Sequence, residues 1–340
     1  MEANMLVGEG DYRYELTPGW ERRPADWANR DVPGIAVDAA DRVYCFTRSE
    51  HPVIVYERDG TFVGTWGDAW YSRFLPHLIT ITADGRVFLA GDRDHTIREF
   101  TLAGELVRTL GEAYVFSDTG YVPLAGQTPR VLRGAGPFNR PTQLVVAPNG
   151  DWYATDGYGN SRVHHFAPDG ELLRSWGEPG NGPGEFALPH SLWVSADGRI
   201  FVCDRENDRV QVFGPTGDLL AIWSNCAMPS QLAGHHDGVV YLLEVGHRAG
   251  TRTVFGVLRE ADIPARITVR DLDGAILATL LPDPDPNAPG GLPNPHGIAV
   301  DSHGDLYVGS IPFLDIYPPY RPNPRFDPEC ATIQKFVRRR

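Results

Sequence analysis

Six stretches of this chain open in the same way, and that repeat limits the fold more than any other feature. Residues 140–178 (RPTQLVVAPNGDWYATDGYGNSRVHHFAPDGELLRSWGE), 188–224 (LPHSLWVSADGRIFVCDRENDRVQVFGPTGDLLAIWS) and 75–111 (LPHLITITADGRVFLAGDRDHTIREFTLAGELVRTLG) align by eye. Fainter copies start at Val32, Met228 and Asn294. Each unit begins X-Pro-X, runs on as alternating apolar residues, and turns at a pair such as Asp84-Gly85, Asn149-Gly150 or Asp197-Gly198. Such pairs are signals for two-residue hairpin turns. A second alternating run, a polar loop, a third strand, a turn such as Asp169-Gly170 and a last strand complete the unit. Four antiparallel strands in ~40–50 residues make one propeller blade.

The repeat therefore predicts an all-β, six-bladed β-propeller with blades over about 32–73, 74–137, 138–185, 186–226, 227–290 and 291–340. The sixth unit is short of an outer strand: after Gly309 comes IPFLDIYPPYRPNPRFDPEC, then only ATIQKFV. The N-terminal run Tyr12–Trp20, within 10–22, is expected to supply it. Pairing the two ends closes the ring and removes exposed sheet edges. The whole chain, 1–340, then forms one domain, large enough to bury a core without disulfides. The 37 glycines and 29 prolines suit many turns and many short strands. Segments 112–137, 246–264 and 311–330 exceed the repeat and predict loops over the propeller faces, where function concentrates.

Aligned at X-Pro-X, the third position reads Gly34, His77, Thr142, His190, Ser230, His296. Histidine alternates with a small residue. The start of an innermost strand lies beside the central channel, and alternate blades of a six-fold ring stand about 120° apart. His77, His190 and His296 are thus expected to converge on the axis as a three-histidine metal site with room for a further ligand. The small residues would leave space for substrate or water. A single histidine on a strand is an ordinary core or surface residue; three at one phase on alternate blades are not. Neutral imidazole suits Zn2+, with other divalent transition metals as alternatives, and an all-nitrogen site does not suit calcium. The remaining histidines, among them His164, His165, His235 and His236, share no such phase and read as structural or surface residues.

The formal net charge of −13 argues against a nucleic-acid partner. The one basic run, Arg338–Arg340, reads as a solvated terminus. Cys45, Cys203, Cys226 and Cys330 fit no zinc-knuckle or CxxC spacing. The first residues carry no basic and apolar leader pattern, and no apolar run approaches the ~18–20 residues of a membrane span. A cytoplasmic protein with free thiols is expected. No G-x-S-x-G elbow, P-loop or dinucleotide fingerprint is present; GNGPGEF at 180–186 precedes a strand and reads as an inter-blade loop.

In the form DRENDRVQVF (204–213) and DGYGNSRV (156–163) the units resemble NHL repeats. The run from Phe138 to Phe213, through RPT, DGYGNSR, GEF-x-LPHS and DREN, together with LPH at 75–77 and NPHG at 294–297, resembles the catalytic domain of peptidyl-α-hydroxyglycine α-amidating lyase. That resemblance implies zinc ligands at His77, His190 and His296, a catalytic tyrosine at Tyr158 and active-site arginines at Arg48 and Arg205. It implies an activity in which the metal and tyrosine act on the α-hydroxyl of an N-acyl carbinolamine, giving an amide and an aldehyde. Arginine there would bias a neighbouring phenol toward phenolate or clamp a substrate carboxylate. Taken singly, Tyr158 reads as an aromatic covering the channel mouth, and each arginine as a blade-to-blade salt bridge.

The chain departs from that family at three places. Asn294 replaces a methionine. Gly297 replaces the aspartate that binds a structural Ca2+, so the expectation of calcium lapses. Gly159 replaces a disulfide cysteine. A small α-hydroxylated molecule, of a kind that can bear a carboxylate, is therefore the expected substrate of a metal-dependent lyase. A zinc hydrolase or hydratase on the same residues is the second reading, and a non-catalytic protein-binding propeller the third. The last would want a fourth protein ligand for a structural zinc, and no residue at a matching position offers one.

Overall fold

The computed structural model describes residues 5–27, 30–72, 75–122, 130–252, 256–313, 326–327 and 329–339. Parts of all three long insertions, and Arg340 of the basic run, lie outside these residues. The strands form six antiparallel sheets, one per repeat unit, arranged as a six-bladed propeller. The innermost strands are Gly34–Val37, Pro76–Ile81, Pro141–Val146, Pro189–Val194, Pro229–Gly234 and Pro295–Val300. Among the described residues no helix is long and apolar enough to cross a membrane.

Alternation in the sequence becomes packing between blades. Tyr44, Phe46 and Val55 of blade 1 meet Ile79, Val87 and Leu89 of blade 2. Tyr153 and Val163 of blade 3 meet Leu192, Ile200 and Val202 of blade 4. A comparable cluster fills each of the other interfaces. Each such side chain contributes about 1.5–3 kcal/mol when fully buried, so the ring is held by its interfaces rather than by any one sheet. The tryptophans that end several units pack on the next blade. A Cβ at Gly104 would lie 2.7 Å from Trp66, and one at Gly274 would lie 2.4 Å from Trp223, so glycine is required at both turns.

Both chain ends close the ring, with one addition to the expectation. The last sheet runs Leu6–Glu9, Tyr12–Thr17, Ile333–Arg339, Leu306–Ser310, Pro295–Val300, so the N-terminus supplies a hairpin of two strands. The closing strand ends at Thr17, and Trp20 turns inward against Tyr56 and Tyr307. The hydroxyls of Tyr14 and Tyr241 meet at 2.8 Å across the blade 5–6 interface.

The hairpin turns differ from the expected two-residue type. At Thr82–Arg86 the amide of Gly85 donates to the Thr82 carbonyl, and the amide of Thr82 to the Arg86 carbonyl. Only the glycine has positive φ, +82° at Gly85, +92° at Gly150 and +85° at Gly198. A two-residue type I′ turn needs both central residues left-handed; here a type I turn precedes one left-handed glycine, giving a three-residue loop.

Antiparallel order fixes which loops share a face. Links from second to third strand, and from fourth strand to the next blade, emerge where the innermost strands begin. The insertion at 112–137 lies in the link between blades 2 and 3, and those at 246–264 and 311–330 lie between second and third strands of blades 5 and 6. The described ends of all three therefore leave and rejoin the ring on the face from which the histidines start.

Candidate metal centre

Three local devices shape the starts of the innermost strands, the first of them acting at His190 and His296 but not at His77, where Leu75 is not left-handed. The residue before the proline is left-handed in four blades: Arg140 (φ 62°), Leu188 (70°), Met228 (50°) and Asn294 (56°). That reverses the chain from the face into the channel wall. Proline then fixes its own φ. Immediately after it the pairing register slips, between Pro76 and Ile79, Pro189 and Ser191, and Pro295 and Gly297. A bulge leaves a residue unpaired and re-aims its side chain. His77, His190 and His296 are the residues at those slips.

The three imidazoles are buried on the axis, with ring centroids 4.6–4.8 Å apart. Each Nδ1 donates to a backbone carbonyl of the following blade: His77 to Thr142 at 2.7 Å, His190 to Ser230 at 2.7 Å and His296 to Pro33 at 2.8 Å. A carbonyl only accepts, so the Nδ1 atoms carry the protons and every Nε2 presents a lone pair. The Nε2 atoms of His190 and His296 stand 3.2 Å apart. Two nitrogens each about 2.0–2.1 Å from a tetrahedral ion would be separated by about 3.3 Å, so this pair fits such an ion, and the donor atoms of all three histidines lie within 4.8 Å of one another. Burial pushes all three pKa values well below the ordinary histidine value, and Arg205 adds to it at each ring. Neutral imidazoles are what a metal requires. Among the described residues no cysteine or carboxylate joins this group.

The residues between the histidines serve differently from the expectation. Thr142 and Ser230 do not leave room; they stitch blades. Ser230 Oγ donates to the His296 carbonyl at 2.7 Å, and Thr142 Oγ1 lies 3.1 Å from the Pro189 carbonyl and 2.8 Å from Thr155 Oγ1. Gly34 allows contact instead: a Cβ there would lie 2.8 Å from the His77 carbonyl.

Tyr158 and Arg205 come from the loops after the second strands of blades 3 and 4. Tyr158 is buried, and its Oη lies 3.3 Å from Nε2 of both His77 and His190. Arg205 Nη1 donates to the same oxygen at 3.3 Å. Burial works against the Arg205 charge, but Tyr158 and Glu206 raise its pKa above the usual arginine value. Arg48, in the matching loop of blade 1, lies nearby without touching the phenol among the described contacts. Its Nε donates to the Pro76 carbonyl at 3.1 Å, beside His77, and its Nη1 stands 3.9 Å from Asp31. The other histidines take structural partners: His164 bonds Ser175 and Asp156, and His165 bonds Asp151.

Sequence reasoning missed Arg140. It is the one charged residue among the six that precede the unit prolines, which was a usable signal. Its guanidinium lies 5.0 Å from the centre of the Tyr158 ring.

Residues 186–213 match the NHL repeat family. The six sheets define a six-bladed propeller with a three-histidine group on its axis, and that match places an NHL repeat in its fourth blade. Within that class the chain is 31% identical over 226 residues to human NHL repeat-containing protein 3, covering 63% of this chain and 60% of the relative. It is 29% identical to peptidyl-glycine alpha-amidating monooxygenase B of Xenopus laevis, covering 69% of this chain and 25% of that protein. It is also 29% identical to peptidyl-alpha-hydroxyglycine alpha-amidating lyase 1 of Drosophila melanogaster, covering 44% of this chain and 26% of the relative. The chain thus spans about three fifths of the first relative's length and about a quarter of the other two. Among solved structures a streptogramin B lyase superposes with a TM-score of 0.55 at 14% identity, covering 99% of both chains, which is a likeness of fold alone.

Proposed function

We propose that this protein is a metal-dependent lyase, with zinc as its ion, that cleaves the C–N bond of a small N-acyl carbinolamine bearing a carboxylate. The observation that carries the reading is the meeting of four groups at one point. Three proton-free Nε2 atoms converge, and Tyr158 Oη stands 3.3 Å from two of them and 3.3 Å from Arg205. Relatives named as amidating lyases and amidating monooxygenases support the same class.

Bound by His77, His190 and His296, zinc would supply a Lewis acid that makes a substrate hydroxyl easier to deprotonate. Tyr158, acting as phenolate, is placed to take that proton. As the O–H pair becomes the new C=O bond, the C–N pair leaves with nitrogen, and Tyr158 returns the proton to it. The products are an amide and an aldehyde, with nothing oxidised or reduced. Arg205 fixes the phenol oxygen by a hydrogen bond, and Arg48, beside His77 and His296, is suited to the substrate carboxylate. The charge of −13 disfavours nucleic acid as a partner. Cys45, Cys203 and Cys226 are free and buried, which suits a reducing compartment such as the cytoplasm.

The test is glyoxylate release from α-hydroxyhippurate by zinc-loaded protein. Wild type is expected to release benzamide and glyoxylate, and Tyr158→Phe to retain zinc while losing about 10²–10⁴-fold in rate. No release by wild type would sink the lyase reading in favour of hydrolysis or hydration. An unchanged mutant would remove Tyr158 from the chemistry.

A further inference from the structure

We infer that Arg140 is a positioning residue of the site, holding the ring of Tyr158 in the place where its oxygen meets His77 and His190. The inference rests on the role proposed for Tyr158. Two guanidinium groups stand over the phenol ring, Arg140 at 5.0 Å and Arg205 at 5.7 Å from its centre. A guanidinium within ~6 Å of an aromatic face is attracted by the ring quadrupole, and more strongly where water is excluded. All three side chains are buried. Arg205 also reaches the hydroxyl, whereas no described hydrogen bond joins Arg140 to it.

Arg140 is itself held on every side. Its Nη2 pairs with Asp92 at 2.6 Å, and its Nη1 donates to Tyr121 Oη at 3.0 Å. Its amide donates to His95 Nδ1 at 3.1 Å, and its carbonyl accepts from the Tyr158 amide at 3.4 Å. With both terminal nitrogens engaged, the group offers Tyr158 a flat face rather than a free fork for a substrate anion. Asp92 belongs to the loop after the second strand of blade 2, and Tyr121 to the insertion at 112–137. Arg205 is braced alike: Glu206 holds it at 3.1 Å, and Arg259 from the insertion at 246–264 stands 3.6 Å from Glu206. Two insertions therefore reach the tyrosine, one from Tyr121 through Arg140 and the other from Arg259 through Glu206 and Arg205.

The test combines crystal structures with kinetics of wild type, Arg140→Gln and Arg140→Lys. In Arg140→Gln the Tyr158 oxygen is expected to move by about 1 Å or to divide between two rotamers, with metal content unchanged. On an active substrate kcat should fall about 10–100-fold, since a misplacement of that size can cost that much. KM should stay within about threefold, and Arg140→Lys should restore part of kcat. An unmoved Tyr158 overturns the proposal, as does a mutant whose loss lies in KM alone, which would make Arg140 a substrate contact. If wild type shows no lyase activity, the position of Tyr158 in the mutant structures still decides the matter. If Arg140→Gln does not fold, Tyr121→Phe removes one anchor with a smaller disturbance and should displace the ring in the same sense; an unmoved ring in that variant counts against the proposal.

Discussion

His190 and His296 face each other across the propeller axis, Nε2 to Nε2 at 3.2 Å, and neither nitrogen has a proton to give the other. Both protons sit on Nδ1, fixed by the carbonyls of Ser230 and Pro33. Two lone pairs at that distance repel unless a proton or cation lies between them. Burial and nearby arginine charge disfavour the proton.

The first expected outcome follows directly. Purified protein should bind one divalent transition ion per chain, and His190→Ala should lose most of that affinity. Binding acts on the folded state alone, so saturation at about 100 times Kd adds about 2.7 kcal/mol of stability. Elemental analysis and thermal melts with and without chelator check both statements. Equal stoichiometric metal in wild type and mutant would contradict them.

The metal-free protein should lose stability on mild acidification. Burial, with added push from Arg205, holds the folded pKa values of His77, His190 and His296 well below the ordinary value. Histidine in an unfolded chain titrates near about 6.5. Between that value and the lower folded values the unfolded chain binds more protons, so stability is fully present above about pH 6.5 and falls as pH drops below it. Each histidine contributes up to about 1.4 kcal/mol per pH unit. Urea unfolding of chelated protein across about pH 5–8 measures this; a profile no steeper than that of a His77→Gln variant would refute it.

Gly297→Ala should damage the site without touching a ligand atom. A Cβ at Gly297 would lie 2.8 Å from the Pro33 carbonyl, the acceptor that orients His296. Losing a partner of that kind costs about 10–100-fold in metal affinity. Calorimetric metal titration of Gly297→Ala beside wild type reads the change. The same contact gives a steric reason why an aspartate is not accommodated here.

How much was legible depended on whether the information was periodic. The histidines could be placed because X-Pro-X recurs at one phase, and a six-fold ring converts phase into angle. Ring closure could be placed because one unit lacked a strand. The turns were misjudged, since Asp84-Gly85 and Asn149-Gly150 suit either loop length, and the flanking Thr82–Arg86 pairing decides between them. Thr142 and Ser230 looked like spacers because small size was visible in the sequence and the reach of a hydroxyl to the next blade was not.

From the sequence alone came the number of blades and the three metal-seeking histidines on alternate ones, which rest on local patterning and on a repeat that dictates its own symmetry, whereas the candidate tyrosine came only from the family resemblance. Tertiary structure alone decided which nitrogen of each imidazole faces the axis, that Thr142 and Ser230 bind neighbouring blades, and that Arg140 and Arg205 both stand within about 6 Å of the Tyr158 ring. Those facts arise where segments far apart in the chain come within about 3–6 Å of each other, and no short-range pattern encodes a distance between separate blades.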